Sequence, residues 1–94
     1  MNKENLTFAI DELDYLMAKV ARVHGDTHPE LNEISAIYPK LRAALKSEDH
    51  AEAASSLQRI SELSDGFTLP ADACPAYTRV YKAYQIIAEE AEGR

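Results

Sequence analysis

The sequence predicts an all-α protein: a four-helix bundle in a single domain covering residues 1–94. Three observations carry that expectation. Apolar residues recur at steps of three and four in four separate segments. β-branched residues are few, and no polar–apolar alternation persists long enough for a strand. Turn and capping residues separate the periodic segments, and most connections are short, which favours antiparallel neighbours in an up-down bundle. The alternative arrangement is a pair of helical hairpins whose core is completed by dimerisation.

The first helix is expected from about Asn5 to His24. Leu6, Ile10, Leu13, Met17 and Val20 step by four, three, four and three, a seam suited to packing on another helix. Ala9, Leu16 and Val23 widen it, and Gly25 supplies a permissive C-terminal turn. The second helix is expected to start at Thr27, because Thr27-His28-Pro29-Glu30 reads as a capping box with proline in the first turn. Leu31, Ile34, Ile37 or Tyr38, Leu41 and Leu45 form its buried stripe, and Pro39 within it is expected to kink or divide the helix. Ser47 reads as the N-cap of the third helix, with Glu48 and Asp49 at the positive end of its dipole. His50, Ala53, Ala54, Leu57, Ile60 and Ser64 lie on one side of that helix, and Asp65-Gly66 ends it. Phe67-Thr68-Leu69-Pro70 leads to a fourth helix that begins between Pro70 and Pro75 and runs to about Glu90. Tyr77, Val80, Tyr81, Tyr84, Ile87 and Ala91 repeat along it at helical spacing, and the tail from Ala91 to Arg94 is expected to fray.

Composition narrows the function classes. Acidic residues outnumber basic ones 16 to 10, a net charge of -6 that repels phosphate backbones and disfavours nucleic acid. No apolar run approaches the roughly 18 residues of a membrane span, and no secretory signal precedes the first helix, so no membrane partner is expected. Cys74 is the only cysteine, which rules out an internal disulfide and fits a reducing, cytoplasmic location. Met1 and the polar tail read as those of a natural short protein.

The chemistry-bearing residues are few. His24 and His28 are four apart, a metal spacing on one helix, but Gly25 and Pro29 place a turn between them. They read as a helix end and a first-turn residue, and with Asp26 would form no more than a surface site. His50 is expected to face the core stripe of the third helix, buried or half-buried, and to serve packing. As a ligand it needs partners from facing helices, where Asp11, Glu12 and Asp14 or Glu89 and Glu90 are on offer. None of these stands in the Glu-x-x-His or His-x-x-x-Glu spacing by which bundles aim two ligands inward. The pair His50 and Glu12 is the alternative metal site. Cys74 suits a nucleophile if it lies in the first turn of the fourth helix, but no histidine is near it in sequence, so it reads as a small buried residue. Tyr77, Tyr81 and Tyr84 read as packing residues with polar tips. With no Gly-rich phosphate loop, serine-hydrolase elbow or paired-cysteine zinc motif, no enzyme, catalytic residue or cofactor is expected.

Lys19-Val20-Ala21-Arg22-Val23-His24-Gly25-Asp26, followed by His28-Pro29-Glu30-Leu31, resembles the first helix junction of the iron–sulfur cluster repair di-iron proteins. Asp49-His50-Ala51-Glu52-Ala53, continuing through Leu57, Ile60 and Leu63 to the loop from Ser64 to Cys74 and on to Tyr77 and Tyr81, resembles the Glu-His helix, Gly-Phe-Thr loop and Tyr-containing helix of that family. The resemblance spans most of the chain from about Leu13. It implies a hemerythrin-like bundle and a lineage associated with recovery from nitrosative and oxidative stress. The departures imply a truncated, degenerate member. Asn2 and Lys3 stand where the family has a histidine pair, and the stretch between Leu45 and Asp49 is too short for its His-x-x-x-Glu pair and loop. The chain stops at Arg94, about where the last ligand motif begins, and the family's N-terminal cysteine segment is absent. Only His50 matches a ligand position, and one histidine cannot hold two irons. The resemblance therefore implies a metal-free helical protein-interaction module. A homodimer is expected, closed by apolar stripes of the first and fourth helices that a shortened bundle would leave uncovered. The alternative is an iron site assembled across that dimer around His50.

Overall fold

Asn2 starts the first helix. Its side-chain oxygen accepts the N–H groups of Glu4 and Asn5 at 2.9 and 3.1 Å, serving donors that a helix start leaves unpaired. The computed structural model describes residues 2–92, and of Glu92 only the backbone. The helices are α1 (Lys3–His24), α2 (Glu30–Ser47), α3 (His50–Leu63) and α4 (Pro75–Glu92), with no strand among the described residues. The tail expected to fray from Ala91 is instead helical at Ala91 and Glu92, and Gly93 and Arg94 lie outside the described residues.

The capping expectations fail at two junctions. Thr27 forms no capping box: Pro29 occupies the cap position of α2 at φ -62° and ψ -21°, with no side-chain cap. Thr27 is two residues too early, and the turn instead closes on the end of α1, where the N–H groups of Thr27 and His28 both reach the His24 carbonyl at 3.2 and 2.7 Å. Ser47 belongs to the last turn of α2, not to the start of α3. Glu48 follows in the left-handed region at φ 58°, and the N–H groups of Glu48 and Asp49 return to the carbonyls of Leu45 and Ala44 at 3.4 and 2.9 Å. That is a Schellman closure carried by glutamate where glycine is usual. Asp49 then caps α3, its carboxylate accepting the Glu52 N–H at 3.1 Å. Two residues between α2 and α3 leave the chain no course but to double back.

Pro39 does not divide α2, which runs unbroken through it. The residue is exposed, on the outer side of the helix, where water can serve a carbonyl left without its donor. The turn after α3 holds Asp65, Gly66 and Phe67 consecutively at positive φ, of 54°, 67° and 62°. Buried Ser64 steadies it, its hydroxyl accepting the Phe67 N–H at 2.9 Å. The Phe67 ring thereby lands on α4, stacked on Tyr84 at 6.2 Å and edge-on to Tyr81 at 6.1 Å between centroids.

The helices alternate in direction. The α1–α4 seam is tied by Asn5 to Glu90 at one end and His24 to Cys74 at the other; the α2–α3 seam is tied by Glu33 to Arg59 and Lys40 to Glu52. Packing is most extensive between α1 and α4, then between α2 and α3, and lightest between α3 and α4. The core holds Leu13, Met17 and Val20 of α1, Leu31, Ile34, Tyr38 and Leu41 of α2, Leu57 and Ile60 of α3, and Tyr77, Val80, Tyr81, Tyr84 and Ile87 of α4. The stripes of α1 and α4 are thus covered within one chain, because each is the other's main partner. The uncovered-stripe argument for a dimer falls with that finding. Val23, expected to widen the stripe, is 71% exposed. No helix among the described residues is long and apolar enough to cross a membrane.

Left-handed backbone disfavours a residue with a Cβ, so Glu48→Gly is expected to stabilise the protein by roughly 0.5–1 kcal/mol. Urea denaturation measures it, and a midpoint below that of the parent protein contradicts the assigned turn.

Candidate functional site

One end of the bundle gathers side chains that are far apart in sequence. Gly25 makes this possible through space rather than rotation, since its φ of -64° is ordinary helical backbone. A Cβ there would meet the Asn32 side-chain oxygen at 2.6 Å and the Ala21 carbonyl closer still. The bare backbone lets Asn32 donate its amide to the Gly25 carbonyl at 3.3 Å, which locks the α1–α2 turn. The loop before α4 then packs against this turn. His24 Nε2 lies 3.3 Å from Cys74 Sγ, and His28 Nε2 lies 3.0 and 3.2 Å from the two carboxylate oxygens of Asp72. His28 Nδ1 faces Glu30 at 3.8 Å. Both imidazoles stand edge-on to the Tyr77 ring, with centroids 5.1 and 5.8 Å away.

Cys74 is half-buried at the mouth of α4, where its sulfur accepts the Tyr77 N–H at 3.4 Å and so takes the part of a capping oxygen. The contact with His24 joins residues 50 apart, so sequence proximity gave no sign of it. A thiol beside an imidazole at a helix start is an arrangement through which sulfur can pass a proton to nitrogen. Here the contact joins the end of α1 to the start of α4. The Tyr77 hydroxyl is buried, and burial pushes its pKa up while the neighbouring Tyr81 phenol acts the other way.

Of the carboxylates proposed from sequence as ligands, Glu12, Asp14 and Glu90 are engaged between helices. Glu12 of α1 is gripped by both ends of the Arg79 guanidinium from α4, at 2.8 and 2.6 Å. Asp14 accepts Tyr38 Oη at 2.8 Å and Arg42 Nε and Nη2 at 3.0 and 3.1 Å, tying α1 to α2. Glu90 accepts the Asn5 amide at 2.9 Å and also the Asn2 backbone N–H. Asp11, Asp26 and Glu89 are exposed.

His50 does not face the core as expected. It is exposed at the first position of α3, where the Cα–Cβ bond leans toward the helix start and carries the ring past the end of the bundle. It lines a shallow depression with Leu45, Asp49, Ala53 and Ala91, which does not include Glu12. Ala54, also assigned to the inner stripe, is exposed, and Ser56 is buried in that stripe instead. Among the described residues, no three His, Cys, Asp or Glu side chains are gathered so as to hold a metal ion. A wider groove of about 440 Å³ opens between α3 and α4, lined by Ala54, Leu57, Ser61, Glu62, Phe67 and Ala88.

Comparison with protein families, curated proteins and solved structures yields no match of any of the three kinds.

The ion pairs make stability depend on acid. The Arg79 hydrogen bonds hold Glu12 below the usual carboxylate range, those of Arg42 and then Tyr38 lower Asp14, that of His28 lowers Asp72, and that of Asn5 lowers Glu90. A carboxylate whose pKa is depressed on folding adds stability above its unfolded pKa and loses it as pH falls through the folded value. Unfolding midpoints are therefore expected to hold steady down to about pH 5 and to fall below about pH 4. The fall should be shallower in the double variant Arg42→Gln, Arg79→Gln. An equal acid loss in parent and double variant would show that these pairs do not carry it.

Proposed function

We propose that this chain is a metal-free, non-catalytic helical module that acts through protein contacts. In this reading its scaffold derives from the hemerythrin-like repair proteins that the sequence resembles. The single observation that carries the proposal is the engagement of the α1 carboxylates at the helix seams. A di-iron bundle aims glutamates and histidines from its helices into a shared interior. Here the acidic residues of α1 that the sequence offers as partners for His50 are neutralised by arginines from neighbouring helices. Glu12 is held by Arg79 and Asp14 by Arg42 and Tyr38. Bidentate arginine–carboxylate pairs are among the stronger hydrogen-bonded contacts, and a metal would have to displace them. The core includes Leu13, Met17, Tyr81 and Tyr84.

The remaining sites fit the same reading. The Cys74 sulfur caps α4, and His28 joins Asp72 across the loop. Among the described residues, the large apolar side chains exposed to a partner are Phe8, Tyr15 and Val23 on the outside of α1, and Leu69 in the loop before α4.

Anaerobic calorimetric titration with Fe(II), on protein purified without an affinity tag, tests the proposal. No saturable heat is expected at one or two equivalents. Saturable uptake that disappears in His50→Ala or Glu12→Gln would overturn it in favour of a metal site around those residues.

A further inference from the structure

The outside of α1 carries a second ordered stripe, opposite the one buried in the core. At 3.6 residues per turn, Glu4, Phe8, Asp11, Tyr15, Lys19 and Arg22 fall within an arc of about 80°. All six are exposed, and Phe8 and Tyr15 remain 55% and 62% accessible. Val23 borders the stripe and is 71% accessible. Large apolar side chains at this spacing on a helix form a packing seam, and the inner face of α1 already supplies the one its own bundle needs.

The order of residues along this seam is symmetric. From Phe8 the steps to Asp11, Tyr15, Lys19 and Arg22 are three, four, four and three, the same read from either end. Charge follows suit: acidic Glu4 and Asp11 lie before Tyr15, and basic Lys19 and Arg22 lie after it. Two such helices laid antiparallel place Tyr15 against Tyr15, Asp11 against Lys19, and Phe8 against Arg22 and Val23. Laid parallel, they would set every charge against its own kind. We infer that α1 pairs with α1 of a second copy, antiparallel, across a two-fold axis at Tyr15.

This inference rests on the reading that the chain acts through protein contact, and it names the partner. Antiparallel self-pairing is isologous, so one patch serves both copies and the assembly closes at two. Within one chain, Lys19 Nζ sits 3.8 Å over the Tyr15 ring. In the pair it reaches Asp11 of the other copy while its stem covers the tyrosines. The one like-charged juxtaposition, Glu4 with Asp26, falls at the solvated rim, where salt screens it. A contact between two helices is small, so the affinity belongs to the weak, micromolar class.

Sedimentation equilibrium from about 5 to 500 μM, a range that brackets weak association, is the test. The parent protein is expected to pass from 10.5 kDa to twice that mass. Tyr15→Glu should weaken association by at least tenfold, since it sets two carboxylates on the axis. Asp11→Lys and Lys19→Asp should each weaken it severalfold, and the double variant should recover, because the two charges face each other across the axis. All these positions are exposed, and circular dichroism confirms that each variant is folded. A parent mass fixed at 10.5 kDa throughout overturns the inference. So does a dimer indifferent to Tyr15→Glu, or single variants that the double variant fails to rescue. A monomer that still takes up no iron ends the pairing alone, whereas saturable iron uptake ends the metal-free reading whatever the mass.

Discussion

The packing of α1 on α4, the first helix on the last, is the contact on which the other features of this bundle depend. Tyr77, Tyr81 and Tyr84 of α4 are buried and bring most of the aromatic surface of the core. Each also brings a hydroxyl that must be accommodated away from water. The Tyr84 hydroxyl meets Met17 Sδ of α1 at 3.0 Å, and burial drives its pKa well up, so it stays a neutral packing group. Polar ties run the length of the seam, from Glu90 with Asn5, through Arg79 with Glu12, to Cys74 with His24. They set rotation and offset together. Once α1 and α4 are in register, the loop before α4 falls on the α1–α2 turn, and His28 finds Asp72.

The same constraint accounts for the character of the interior. With the inner face of α1 committed to tyrosines and aliphatic side chains, its acidic residues are left at the margins of the seams. There arginines from α2 and α4 meet them. The helices are thus joined by pairs that a ligand shell would have to break, and Phe8, Tyr15 and Val23 remain exposed on the outer face of α1.

Local order was legible in the sequence because helical periodicity and caps are written along the chain. The apolar steps from Leu6 to Val20 and from Tyr77 to Ile87 gave two helices within about two residues of their ends, in keeping with ordinary boundary scatter. The misreadings have local physical causes. Val23 is seven residues beyond Leu16, but a straight helix drifts by about 20° per heptad, and in the last turn of α1 the residue has rotated off the buried face. Thr27 and Ser47 are good capping residues placed two positions before the residues that occupy the caps, Pro29 and Asp49. His50 shares a helix face with Ala53, yet a first residue leans out of the end of the bundle. The pairs His24–Cys74, His28–Asp72 and Glu12–Arg79 left no sign in sequence, because they depend on how one helix is offset against another.

Native-state hydrogen exchange tests the primacy of the α1–α4 contact most directly. If that contact organises the bundle, amides from Leu13 to Val20 and from Val80 to Ile87 are the slowest to exchange and share one opening free energy, equal to that of global unfolding. The α3 amides should open at lower free energy, in keeping with its light contact with α4. Exchange of the α4 amides through a cheaper opening that leaves α1 protected would contradict the account.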